Sequence, residues 1–235
     1  MMFVKITINQ VFYKLLLTFT HQFSTLISIV FLANSVSTVE FGRVAICLIL
    51  LQVSFFISEW GIPNYGIELL SKSTKSNKKE FLKTILVFHF LCFLSFVAIY
   101  ALLIKYVFPD LNFKFYLAFI PSLFFGIFNF AWFFSLINAS QKIVTVTIIA
   151  RCLFLIGLFF LVTGDSDSYK YLIFQGMSFA IIGFNSLYLL IKLGFIDRIP
   201  SINHLSGRIF YLKNSSIFFL TNLTDNQFPL IWSFV

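Results

Sequence analysis

Apolar positions in this chain fall into blocks too long for the elements of a soluble core. Six blocks run approximately 12–33, 43–63, 84–104, 115–137, 143–163 and 171–191, and a seventh begins near 209. A helix rising about 1.5 Å per residue needs about 20 residues to cross a hydrocarbon layer roughly 30 Å thick. Each of the six blocks meets that length. Runs such as "LFLIGLFFLV" show no period of two, which argues against the strands of a membrane barrel, the other structure that satisfies its backbone in lipid. The pattern predicts an all-α polytopic membrane bundle of six transmembrane helices plus the start of a seventh. Three segments follow: a six-helix bundle over 1–192, a cytoplasmic linker between repeats over 193–208, and the start of a second repeat, a truncated helix, over 209–235.

Composition agrees with lipid as the solvent. Hydrophobic residues make up 59% of the 235-residue chain and charged residues 11%, against about 45–50% and about 25% in soluble domains. No soluble fold of this size buries so much apolar surface. The net charge of +8 does not point to nucleic acid, because the cations sit in short connectors. With the N-terminus inside, the cytoplasmic ends and loops hold twelve of them: Lys5, Lys14, Lys72, Lys75, Lys78, Lys79, Lys83, Lys142, Lys192, Arg198, Arg208 and Lys213. The outer side holds four, Arg43, Lys105, Lys114 and Lys170. This asymmetry orients the chain by the positive-inside rule. The basic loop "SKSTKSNKKEFLK" serves first as an anchor at anionic headgroups, with a partner surface as the alternative. The N-terminus lacks the apolar core and cleavage site of a signal peptide and is expected to be retained. Cys47, Cys92 and Cys152 lie inside apolar blocks with no disulfide or metal spacing.

Polar side chains inside the blocks carry the candidate chemistry. Lys14, Thr18, His21, Gln22 and Thr25 fall at offsets of 0, 4, 7, 8 and 11, one stripe of a helix. Lipid does not solvate such a stripe, so it lines a hydrated cavity or packs against other helices through hydrogen bonds. Lys14 can snorkel to the interface, but His21 lies about 10 Å deeper. Arg151 sits about 12 Å inside the fifth block and does not escape its charge by losing a proton. It needs a carboxylate, a cluster of carbonyls or an anionic ligand. Glu59, in "SEWGIP", and Asp225, in the seventh block, are the candidate carboxylates. His89 reads as a packed or hydrogen-bonded core residue. Pro63, Pro121 and Pro229, with Gly61, Gly126 and Gly183, are expected to break or bend helices, and Gly176 with Ala180 suits close helix contact. No P-loop, Ser–His–Asp set, metal cluster or pair of glycosyl-transfer carboxylates is present in the sequence. Sequons at Asn138, Asn214 and Asn222 lie in or beside spans and read as chance matches.

The first span reads "FTHQFSTLISIVF" and the seventh "LTDNQFPLIWSFV". Each places a titratable residue just before "QF", as expected if a second repeat starts near 209. Three features then carry a resemblance to a known family. The stretch "VEFGRVAICLILLQVSFFISEWGIPNYGIELLSKSTKSNKKE" runs from FG through an acidic residue followed by an aromatic and Gly to a basic loop. The stretch "PSLFFGIFNFAWFFSLINASQKIVTVTIIARCLFLIGLFFLV" gives a fourth span with an aromatic-rich end, a short loop and a fifth span bearing an arginine. The plan of six spans followed by a seventh is the third. Together they resemble the O-antigen flippases, lipid-linked oligosaccharide exporters of the multidrug/oligosaccharidyl-lipid/polysaccharide exporter superfamily.

That resemblance implies about twelve helices in two bundles around a central cavity, of which this chain would be the N-terminal half. It implies transfer of undecaprenyl-pyrophosphate-linked oligosaccharide across a bacterial inner membrane by alternating access, with no enzymatic reaction. The resemblance implies the reaction class alone; by charge and depth, Lys14 and Arg151 are the expected attractors of the head group, His21 and Gln22 are further cavity candidates, and Glu59 and Asp225 are candidates for coupling H+ or Na+. No other cofactor is expected, and partners would be membrane lipids and the polymerase and chain-length regulator of the pathway. An O-antigen polymerase or membrane acyltransferase, a drug or cation exporter of the same superfamily, and an inactive fragment are the competing readings. The short outer connectors "NSVSTVEF", "KYVFPDLN" and "GDSDSYK" count against the polymerase.

Overall fold

The computed structural model describes residues 8–71, 73–137 and 139–196, together with Ser215, Ser216 and Phe219. Up to residue 196 the described chain is helical, with no strand. The helices are α1 (Ile8–Ser35), α2 (Thr38–Glu59), α3 (Ile62–Ser71), α4 (Lys75–Tyr106), α5 (Phe113–Ile127), α6 (Ala131–Leu136), α7 (Gln141–Leu161) and α8 (Lys170–Lys192), with a 3-10 turn at Asp165–Asp167. They make six spans long and apolar enough to cross a membrane, two of them formed by the helix pairs α2–α3 and α5–α6. The seventh span expected from residue 209 lies, apart from the three residues named, outside the described residues.

The helices run past the apolar blocks because polar residues cap them. Ser37 accepts the Glu40 N–H, which starts α2 five residues before its block. Thr74 accepts the Asn77 N–H, which starts α4 nine residues early. Such caps satisfy amides that a helix start leaves unpaired. The extra turns belong to the headgroup zone, where apolar character is not needed.

Helix α8 is central, packed against α5 on one side and α7 on the other, while α1 packs on α7 and α2 on α5. In lipid, close packing and interhelical hydrogen bonds replace the hydrophobic drive of soluble proteins. Gly176 of α8 brings that helix close to the backbone of α5: a Cβ there would stand 3.0 Å from the Ser122 nitrogen. The Ser122 hydroxyl donates to the Leu172 carbonyl at 2.7 Å. Hydroxyl pairs join Ser28 to Tyr171 at 2.9 Å and Ser54 to Tyr100 at 2.6 Å. Pro121 lies within α5 and Gly183 within α8 without ending either helix.

The bundle has two ends of different character. At one, the Ser37 N–H donates to Asp165 at 2.6 Å and the Ser168 hydroxyl donates to Glu40 at 2.6 Å, while Arg43 pairs with Glu40. This clasp joins the α1–α2 and α7–α8 connectors. At the other end the Lys75 ammonium lies 5.4 Å from the Phe195 ring centre, tying the start of α4 to the end of α8. Two apolar cores follow this division. One is built on Leu32, Val44, Leu51, Tyr100, Phe119, Leu158 and Tyr171. The second uses Ile62, Phe81, Leu82, Phe130, Phe133, Phe134 and Leu190. Phe19, Phe23, Leu26, Leu94, Phe160 and Phe184 stand exposed on the outer faces, as lipid contact requires.

Candidate functional site: a polar cavity between two broken helices

Two spans are interrupted where the cores meet. Helix α2 stops at Glu59 because Trp60 and Gly61 both take left-handed backbone angles, φ 43° and φ 69°. Glycine adopts that conformation without penalty, whereas tryptophan pays about 1–2 kcal/mol. The Trp60 ring stacks on Phe219, with centroids 4.4 Å apart and planes 12° apart. Pro63 follows in the first turn of α3, where its missing N–H is not needed. In the other span α5 ends at Ile127 and α6 begins at Ala131. The Asn129 side chain accepts the Ala131 N–H at 3.1 Å and so restarts the helix.

A cavity of about 330 Å³ lies between the breaks. Ser58, Glu59, Ile62 and Pro63 line it from the first break, and Gly126, Ile127, Asn129, Ala131 and Trp132 from the second. His21, His89, Phe55 and Phe179 complete the wall. His21 and Glu59 are exposed there, while His89 is 4% exposed. The His89 ring stacks on Phe130 at 5.8 Å and meets Phe128 edge-on. Neither of its nitrogens has a hydrogen bond of normal geometry, although the Ser58 carbonyl lies beside it. The end of α2, the negative end of a helix dipole, lies next to the Glu59 carboxylate. The wall therefore offers an ionisable acid, two imidazoles, an amide and an indole face. It can bind a polar solute and hold a proton or cation.

The sequence candidates distribute unevenly around this cavity. His21 and Glu59 are on its wall. Lys14 and Gln22 are exposed but not part of that wall. The α1 stripe is also less demanding than its composition suggests, because Thr18 and Thr25 donate to the Lys14 and His21 carbonyls of their own helix at 3.1 and 2.8 Å. Asp225 lies outside the described residues. Arg151 is set one layer back, 2% exposed, with the Phe179 ring 5.0 Å and the Phe154 ring 6.0 Å from its guanidinium carbon. Phe179 separates it from the cavity. Glu59 was a candidate partner, but no ion pair joins them among the described residues. Leaving a buried charge without a carboxylate costs several kcal/mol, of which two ring contacts recover about 1–2. His21 lies within electrostatic reach of Arg151.

Sequence reasoning missed His89, Asn129 and Trp132 as wall residues. Asn129 carried a usable signal, an amide within the aromatic run "FGIFNFAWFF", where only a broken or solvated helix gives it a role. His89 carried none, because a helix position does not reveal a break in its neighbours. No family model, no curated protein and no solved structure matches the chain.

Proposed function

We propose that this chain forms the N-terminal bundle of an exporter that moves undecaprenyl-pyrophosphate-linked oligosaccharide across a bacterial inner membrane. One observation carries this reading beyond the sequence resemblance: two broken helices facing one polar cavity within the spans. Irregular backbone is tolerated at membrane depth only inside protein or beside water, and transporters build their solute sites from such discontinuous helices. The cavity suits part of a saccharide, with the Trp132 face for stacking and Asn129, His21 and Glu59 for hydroxyl groups. Lys14, exposed near the start of α1, attracts the diphosphate, and Arg151 adds positive potential from behind Phe179. Glu59 and His21 are the titratable pair for coupling to H+ or Na+.

Photocrosslinking tests this. A photoactivatable amino acid at Asn129 of the detergent-solubilised chain is exposed to undecaprenyl-pyrophosphate-oligosaccharide. Crosslinking should exceed that to undecaprenyl phosphate by at least about tenfold, and Glu59→Gln should reduce it. Equal labelling by the two lipids would remove the saccharide assignment.

A further inference from the structure

Arg151 is the buried charge whose needs the described residues leave unmet. Its Nε and Nη2 have no hydrogen-bond partner. Four more buried polar atoms on the same two helices share that condition: Thr147 Oγ1, Gln175 Oε1, Ser178 Oγ and, farther along α8, Asn185 Nδ2. Helices α7 and α8 run antiparallel, with Gly157 against Phe174 and Arg151 against Phe179. This register sets Ser178 opposite Arg151, with Gln175 about one turn along α8 and Thr147 one turn back on α7. Hydroxyl groups rotate to donate. The seam therefore gathers guanidinium N–H groups, two hydroxyls and the Gln175 amide, with no carboxylate among the described residues. The nearby Tyr171 hydroxyl is already engaged with Ser28.

We propose that this seam binds a small monovalent anion, chloride in a physiological solution, held by Arg151 with Ser178 and Thr147. The chemistry selects the class. One halide balances one guanidinium and asks only for donors, which the seam supplies. Inorganic phosphate spreads between one and two negative charges over four oxygens near neutral pH, too much for one cation in a dry site walled by Phe154 and Phe179. Phe179 is also the partition between Arg151 and the cavity, so the ion enters and leaves when this ring turns aside. The inference goes beyond the export reading and does not depend on it.

The test is thermal unfolding of the full chain in detergent, at constant ionic strength, with sodium chloride replacing sodium gluconate. Wild-type Tm should rise saturably by about 3–5 °C up to 100 mM chloride, and bromide should substitute. Sulfate and phosphate should not. Arg151→Gln should abolish the effect, and Ser178→Ala should shift the chloride midpoint upward at least about fivefold. Should Arg151→Gln not fold, equilibrium dialysis with radioactive chloride on wild type and Ser178→Ala decides the same point. Absence of a halide response in wild type, an equal response in Arg151→Gln, or preference for phosphate would each overturn the proposal. So would loss of Tm in Asp225→Asn alongside a halide-insensitive wild type, which assigns the counter-charge to Asp225. A chain that crosslinks the oligosaccharide lipid through position 129 but ignores halide loses only this inference.

Discussion

The half of the bundle beside the Ser37–Asp165 clasp and the half toward Lys75 and Phe195 share their helices but treat polar groups differently. In the clasped half, hydroxyls find partners: Ser28 with Tyr171, Ser54 with Tyr100, Ser122 with the Leu172 carbonyl. From the middle of the bundle toward the basic end, Gln175, Ser178, Arg151, Thr147, His89 and Asn185 carry buried polar atoms without partners, although Ser186 and Thr84 there donate to carbonyls of their own helices, and both helix breaks adjoin this region. Buried polar groups that are paired stabilise a bundle, whereas unpaired ones cost free energy and persist where something else uses them. The comparison assigns structure to one half and function to the boundary with the other.

Four substitutions sharpen that contrast. The largest effect is expected from Leu158→Ala in the clasped core, where Leu158 is 0% exposed; it should cost about 2–5 kcal/mol by reversible unfolding in mixed micelles. Gly126→Ala comes next. A Cβ at 126 would stand 2.1 Å from the Phe55 ring tip, so the ring, which lines the cavity, must shift. A cost of about 1–3 kcal/mol is expected, with less photolabelling from position 129. Tyr171→Phe should cost about 0.6–1 kcal/mol through the lost Ser28 bond, and its combination with Ser28→Ala should be less than additive. Glu59→Gln should change stability least, within about 0.5 kcal/mol, while altering the ion dependence of cargo binding. A large stability loss in Glu59→Gln would turn the proposed site into ordinary packing and erase the difference between the halves.

The spans were legible because lipid imposes a length and an apolar composition that a sequence shows directly. Glu59 and the Gly61–Pro63 break were legible for the same reason: each departs from what an uninterrupted lipid-facing helix allows. The positions of Lys14 and Arg151 were not. Helical periodicity puts Lys14 on the same stripe as His21, but the cavity reaches only the His21 level, because the breaks in α2–α3 and α5–α6 set its depth. Arg151 signalled burial by its charge, yet its position behind Phe179 depends on the α7–α8 register, which follows from Gly157 and Phe174 meeting across the interface. His89 needed two neighbouring helices to break at its depth. Such coincidences between segments leave no local mark in a chain.

Accessibility of the cavity wall to water is the most direct measurement. With Cys47, Cys92 and Cys152 replaced, single cysteines at His21, Asn129 and Ser54 are treated with a membrane-impermeant charged thiol reagent added to inside-out and right-side-out vesicles. Cysteines at 21 and 129, both exposed on the wall, should react from at least one side, and the one at 54, 0% exposed within the clasped half, should not. Equal protection at all three positions would mean a dry seam where a hydrated cavity is expected, and would contradict the transport reading at its base.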